Sequence, residues 1–256
     1  MTRLIMKLKN KVAIITGGAT GIGKATSLLF AKEGAIVIIA SRNEKNGNKI
    51  VSEIKRKKGK AEFIKTDVES EQNIKNLILN VIKKYKKIDI LYNNAGIEDS
   101  TNIVDTEIED WEHVIHTNLR SVYLCSKYTI PYMKKNGTII NTASVAGLVG
   151  FNELAAYCAA KGGIVNLTRQ MALDYAKKGI RINCVCPGAI NTPMIKRYIK
   201  NSKNPKQTKK DLESMHPLGR LGQPEEIATT VLFLSSQDAS FITGQALAID
   251  GGFTAH

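Results

Sequence analysis

The chain has no apolar run approaching the roughly 18 residues that a membrane-spanning helix requires. Its start, "MTRLIMKLKNKVAII", reaches the first β-branched stretch without the pattern or small-residue cleavage site of a secretory signal. Cytoplasmic residence with no membrane partner is therefore expected. Four cysteines, Cys125, Cys158, Cys184 and Cys186, are too few and too unevenly placed for a disulfide framework or a zinc site. Cys184 and Cys186 alternate within "IRINCVC", which predicts a strand with both reduced thiols on one face and Val185 on the other. His113, His116, His216 and His256 show no metal-ligand spacing, so no metal is expected. Acidic residues are also scarce, 23 against 37 Lys and Arg, giving a net charge of +14. Such an excess can attract nucleic acid, but the lysines are scattered over "IKRKKGK", "IKKYKK" and "IKRYIKNSKNPKQTKK" with no interleaved aromatic platform. Specific nucleic-acid binding is not expected.

What the chain does have is alternation. Apolar β-branched runs predict strands at 11–16, 35–40, 61–66, 88–93, 137–143, 180–186 and 245–250. Amphipathic stretches predict helices at 21–33, 44–58, 70–86, about 108–135, 153–178 and 224–236. Strands and helices in turn make an α/β fold, a Rossmann-type doubly wound parallel sheet of about seven strands with helices on both faces. At 256 residues, 43% hydrophobic and without internal repeats, the chain suits one domain over 1–256. Segment 193–216 is long for a connection and carries Pro193, Pro205 and many lysines; its middle part, 200–209, reads equally well as a surface excursion.

Two motifs carry chemistry. In "KVAIITGGATGIGKATSLLF" a strand-like run breaks into Gly17, Gly18, Gly21 and Gly23 before a helical pattern. Glycines let the backbone approach a pyrophosphate, whose charge the helix N-terminus stabilises. In "AAYCAAKGG" Tyr157 and Lys161 stand four apart, on one helical face, with Ser144 thirteen residues earlier at the end of an apolar run. An ordinary phenol, with a pKa of about 10, is a poor base at neutral pH, and a nearby ammonium favours its ionised form. Spacing alone does not discriminate: Tyr123 and Lys127 repeat it, with Asp110 rather than a serine thirteen residues upstream.

With "TGGATGIG" (16–23), Asp67 in "TDV", "NNAG" (93–96), Asn118 in "HTNLRSVY", Ser144, "YCAAK" (157–161), "PGAINT" (187–192) and "ITGQALAIDGG" (242–252), the chain resembles the short-chain dehydrogenase/reductase family over nearly its whole length. The resemblance implies an enzyme that interconverts a ketone and a secondary alcohol by hydride transfer. Tyr157 would be the general acid/base, and Lys161 would lower its pKa and hold the nicotinamide ribose. Ser144 would bind the substrate oxygen, and Asn118 would anchor a water in a proton relay. It places the cofactor against Gly17, Thr20, Gly21, Ile22 and Gly23, then Asp67 and Val68 at the adenine. Asn94, Ala95 and Gly96 would follow the ribose-phosphate track, and Pro187, Gly188, Ile190 and Thr192 the nicotinamide. Asp67 has a minority reading as a carboxylate at a helix N-terminus, against its place at a strand end, and Asn93 reads as structural.

Ser41 and Arg42 close the second strand where NAD-preferring relatives carry an acidic residue, so NADP(H) is the expected cofactor and NAD(H) the alternative. Thr20, basic in some NADP-preferring members, departs from that pattern. The resemblance makes 193–216 a substrate lid with an apolar wall of Met194, Ile195, Tyr198 and Ile199. It leaves Glu98, Val145, Ala146, Phe151, Asn152, Glu153 and Leu154 around the substrate. Three substrate classes stay open: a 3-oxoacyl thioester of fatty-acid synthesis, a hydroxysteroid or other bulky alcohol, and a sugar or polyol. "PLGRLGQPEEIA" resembles 3-oxoacyl carrier-protein reductases, whereas "NNAGIEDS" lacks the basic residue such reductases often carry there. A homotetramer is expected through the helices at 108–135 and 153–178 and the C-terminal "AIDGGFTAH". A nucleotide-sensing protein without catalysis would normally have lost part of Ser144, Tyr157 and Lys161, and all are present.

Overall fold

The computed structural model describes residues 6–98 and 100–255. His256 lies outside them. Seven strands, β1 Val12–Thr16, β2 Ile36–Ser41, β3 Lys60–Lys65, β4 Ile88–Asn93, β5 Met133–Thr142, β6 Arg181–Pro187 and β7 Ala246–Ile249, form one sheet. Its order is β3-β2-β1-β4-β5-β6-β7, and every pairing is parallel. The strand order reverses between β1 and β4, and the crevice beyond their carboxyl ends is where such sheets bind ligands.

Both faces are covered, which is why the central strands are apolar on both sides. Ala13 and Ile15 face the side closed by α1 Gly21–Lys32, α2 Glu44–Arg56 and α9 Pro224–Ser235. Val12 and Ile14 face α3 Glu71–Tyr85, α5 Ser121–Thr129 and α6 Ala155–Tyr175. The same alternation places Val185 on the first side and Cys184 and Cys186 on the second, beside Ile164 and Val165 of α6. All four cysteines are free, and burial pushes the Cys125 thiol up to about 12. Among the described residues no cluster of His, Cys, Asp and Glu is placed to hold a metal ion, and no helix is long and apolar enough to cross a membrane.

Strand ends other than those of β5 fall within one residue of the sequence expectation. Two segments differ. The helix expected over 108–135 is α4 Ile108–Ile115, a π turn His116–Arg120, α5, and a short 3-10 turn Ile130–Tyr132, after which β5 already begins at Met133. Pro131 has no N–H to donate and stops the helix. Segment 193–216 is not a loop but two helices, α7 Pro193–Asn201 and α8 Pro205–Ser214. Pro193 and Pro205 start them rather than break them, because the first helical N–H has no partner to lose. Thr192 and Asn204 cap them, accepting from Ile195 N (3.4 Å) and Gln207 N (3.2 Å).

Candidate active site

The β1 and β4 ends are fastened together by side chains. Thr16 Oγ1 accepts from the N–H groups of Asn94 (3.0 Å) and Ala95 (3.1 Å), and Asn94 Nδ2 donates to Thr16 O at 3.0 Å. The intervening turn needs its glycines. Gly17 sits at φ +64°, and a Cβ on Gly23 would stand 2.3 Å from Gly17 O and 2.6 Å from Asn94 Nδ2. Thr20, at the N-cap of α1, makes no capping hydrogen bond, and the first turn holds no acidic residue. The leading N–H groups of α1 are thus left without a side-chain partner, at the positive end of its dipole. By contrast Asn43 and Ser70 cap α2 and α3.

Ser144, Tyr157, Lys161 and Asn118 line the same cleft as Gly17, Thr20, Gly21, Ile22, Asn94, Ala95, Gly96, Pro187, Gly188, Ile190 and Thr192. Ser144 caps the turn Val145–Gly147, accepting from Ala146 N at 3.2 Å. Lys161 Nζ lies 5.3 Å from the centre of the Tyr157 ring and donates to Thr142 O at 2.9 Å. Lys161 is only 4% exposed, and burial brings its ammonium down to about 8 against the opposing influence of Cys186, Glu98 and Cys184. Burial pushes the Tyr157 phenol above its ordinary range, the charge of Glu98 adds to that, and the Ser144 hydrogen bond works the other way.

Asn118, fully buried in the π turn, spends its side chain on the backbone: Nδ2 donates to Ile97 O (3.0 Å) and Val114 O (2.9 Å), and Oδ1 accepts from Ile97 N (3.3 Å). It ties the loop after β4 to the helix carrying it, and π turns of this kind concentrate at functional sites. Asn93 points away into the core, donating to Asn141 Oδ1 at 2.9 Å, as its structural reading anticipated.

Ser41, Arg42, Asp67 and Val68 lie along the same sheet edge beyond β2 and β3, outside the main cleft. Ser41 Oγ is buried and has no hydrogen-bond partner among the described residues. Arg42 is exposed and makes no hydrogen bond or ion pair among the described residues; its nearby carboxylate, Glu69, is taken by Thr117 (2.6 Å) and His113 (3.2 Å). Asp67 accepts from Glu69 N at 3.1 Å, shaping the turn ahead of α3, while Ser70 is that helix's cap.

Of the residues expected around the substrate, Glu98, Val145, Phe151, Met194 and Ile195 line the cleft, and Ala146, Asn152, Glu153, Leu154, Tyr198 and Ile199 do not. Burial holds the Glu98 carboxyl above its usual range, with Lys161 opposing. Leu212, Met215 and His216, from the segment expected over the substrate, join the lining, as does Phe253, which was not anticipated. Phe253 stacks on Phe151 with ring centres 5.4 Å apart. No spacing rule connects residue 253 with residue 151; only the β6–β7 pairing brings the C-terminal segment back over the cleft.

A family model described as enoyl-(acyl carrier protein) reductase matches residues 17–254. The 3-oxoacyl-[acyl-carrier-protein] reductase FabG of Thermotoga maritima is 41% identical over 249 residues, covering 96% of this chain and 99% of that protein. A cyclohexanol dehydrogenase of an Acinetobacter species (strain SE19) is 41% identical over 251 residues, covering 97% and 96%. Among solved structures, the ligand-free aldohexose dehydrogenase AldT of Thermoplasma acidophilum superposes with a TM-score of 0.89 at 34% identity, covering 98% of this chain and 97% of that one.

Proposed function

The chain belongs to the short-chain dehydrogenase/reductase family, and from that premise we propose that it is an NADP(H)-dependent oxidoreductase interconverting a ketone and a secondary alcohol. The observation that carries this reading is the convergence of Ser144, Tyr157 and Lys161 on one cleft with the glycine turn and the Pro187–Thr192 loop. The site suits a dinucleotide: a side chain at Gly23 would fill its cradle, α1 presents uncapped N–H groups, and Ser41 Oγ is a buried group in need of a partner. Bound there, the cofactor supplies or takes the hydride. Tyr157 passes the proton to or from the substrate oxygen, which Ser144 holds, and Lys161 orients the ribose. Asn118 keeps the loop after β4 in place and is proposed as the start of a water relay. Arg42 takes the ribose 2′-phosphate, a charge-assisted contact that no carboxylate at Ser41 opposes.

On this reading 1–256 is one catalytic domain with α7 and α8 as its lid, closing apolar Met194, Ile195, Leu212 and Met215 over the substrate. The wall also holds Val145, Phe151 and Phe253, with Glu98 as its acidic and Arg197 as its basic member. A compact neutral ketone or alcohol fits such a lining, and the likeness to a cyclohexanol dehydrogenase supports it. A 3-oxoacyl thioester on an acidic carrier is the second reading, favoured by the +14 charge and by the likeness to FabG. A purified-protein screen of cyclic ketones, aldohexoses and acetoacetyl thioesters with NADPH and NADH decides between them. Turnover of a small neutral ketone exceeding that of the thioester is expected; no turnover with any of them would remove the proposal.

We further propose a cytoplasmic homotetramer. Exposed Ile108, Tyr123 and Leu173 on α4, α5 and α6, and Leu218, Phe241 and Leu247 near the C-terminal segment, are apolar side chains that such an assembly would bury. Light scattering at micromolar concentration is expected to give four chains; one chain would refute it, and two would leave a single interface.

A further inference from the structure

His216 follows α8 and is 4% exposed, yet nothing in the chemistry above uses it. Its Nδ1 lies 2.6 Å from the carbonyl oxygen of Asp250. A carbonyl only accepts, so Nδ1 carries the proton. That leaves Nε2 of the neutral ring as an acceptor, and Ala189 N donates to it at 3.2 Å. The two partners thus demand the same tautomer. The ring is also fixed from its sides: it stands edge-on to Phe253, with centres 6.0 Å apart at 70°. Its Cε1 would meet a Cβ on Gly188 at 2.6 Å, so residue 188 has no room for a side chain. One imidazole therefore joins the end of the lid helices, the peptide between Gly188 and Ala189, and the C-terminal Asp250–Phe253 segment. The peptide it holds is planar, so fixing its N–H fixes the whole unit.

We propose that His216 is a positioning residue for the nicotinamide half of the cofactor, acting through the Ala189 N–H and setting the Pro187–Thr192 loop in register with the lid. The inference rests on the nucleotide reading above. It separates the two halves of the ligand: the loop His216 holds lies at the nicotinamide end, about the cleft, whereas Ser41 and Arg42 lie beyond β2.

The test is fluorescence titration of the full-length protein and its variants with NADPH and, in parallel, with adenosine 2′,5′-bisphosphate, which carries only the adenosine half. His216→Phe keeps a ring but leaves the Ala189 N–H without an acceptor. It is expected to weaken NADPH roughly tenfold, by loss of one buried hydrogen bond, and the bisphosphate by less than about twofold. His216→Gln, whose amide oxygen reaches the place of Nε2, should recover most of the NADPH affinity. His216→Asn reaches only the place of Nδ1 and should not. The Gln and Asn pair carries the test if the Phe variant does not fold. Equal losses for both ligands, unchanged NADPH affinity in folded His216→Phe or His216→Asn, or a Gln variant no better than Asn would overturn the proposal. If the unmodified protein binds neither ligand, the nucleotide reading falls and this inference with it; tight binding without any difference among the variants removes only the role of His216.

Discussion

Two tyrosine–lysine pairs in this molecule have nearly the same local geometry and different surroundings. In α5, Lys127 Nζ lies 5.5 Å from the Tyr123 ring centre; in α6, Lys161 Nζ lies 5.3 Å from that of Tyr157. Helical spacing dictates both. On the surface, Tyr123 is 46% exposed, and hydrogen bonding to Tyr123 raises Lys127 above the ordinary lysine value. At the cleft, burial moves Lys161 the other way, down to about 8, while its ammonium is anchored on Thr142 O and Tyr157 shares the cleft with Ser144. The difference is made by what the fold brings from elsewhere: the end of β5, the turn after it, and the loop after β4. A proton-transfer group is defined by its enclosure and partners, and the spacing only permits it.

The comparison breaks most visibly at the lysines. Lys161→Ala should lower kcat/KM by about 10²–10⁴, the range of lost acid–base assistance, and should weaken NADPH as well. Lys127→Ala should leave both unchanged in the same steady-state assay. A smaller effect is expected at the far end of the cofactor. Arg42→Ala should weaken NADPH about ten- to a hundredfold, for a charge-assisted contact of roughly 1.5–3 kcal/mol, and leave NADH nearly untouched. Equal kcat/KM for NADPH and NADH in the unmodified protein would mean that the phosphate is not read at Arg42.

Stability distinguishes the pairs more finely. Because the folded-state value for Lys161 is about 8, below the unfolded 10.5, the unfolded chain holds the extra proton between them. Stability conferred through this group therefore rises with pH across that window, and its burial cost is fully present below pH 8. That cost is about 3 kcal/mol, and a side chain without the ammonium would leave Thr142 O without its donor, at a cost of roughly 1. Lys161→Met should accordingly be more stable than the unmodified protein at pH 7 by about 1–2 kcal/mol in urea unfolding, with the gain shrinking toward pH 10. Lys127 is raised instead, so its contribution is present below the unfolded value and lost as pH rises through the higher folded one. Lys127→Met should therefore show no gain at pH 7.

Much of this arrangement was legible in the sequence, and the limits have physical causes. Runs such as "VAIIT" and the glycines after them read directly because a doubly covered parallel strand and a tight turn leave few residue choices. The helix expected through 135 stops earlier because Pro131 has no N–H to continue it. Segment 193–216 reads as a long connection because prolines and lysines obscure its helical pattern, whereas Thr192 and Asn204 cap helices that Pro193 and Pro205 begin. Tyr157, Lys161 and Ser144 could be picked out by their motifs, but the hold of Thr142 O on Lys161 could not, since a backbone carbonyl leaves no sequence trace. His216 and Phe253 were invisible for a related reason: their roles exist only after β7 pairs with β6 and returns the C-terminal segment to the cleft.

The central claim is that enclosure, not spacing, makes Tyr157 the proton-transfer group. It is tested most directly by measuring single-turnover ketone reduction with Tyr157→Phe and Tyr123→Phe side by side, each preloaded with NADPH. The account predicts a rate lower by about 10²–10⁴ for Tyr157→Phe with NADPH still bound, and an unchanged rate for Tyr123→Phe. A Tyr157→Phe protein that reduces the ketone at the unmodified rate would contradict it, as would a comparable loss in Tyr123→Phe.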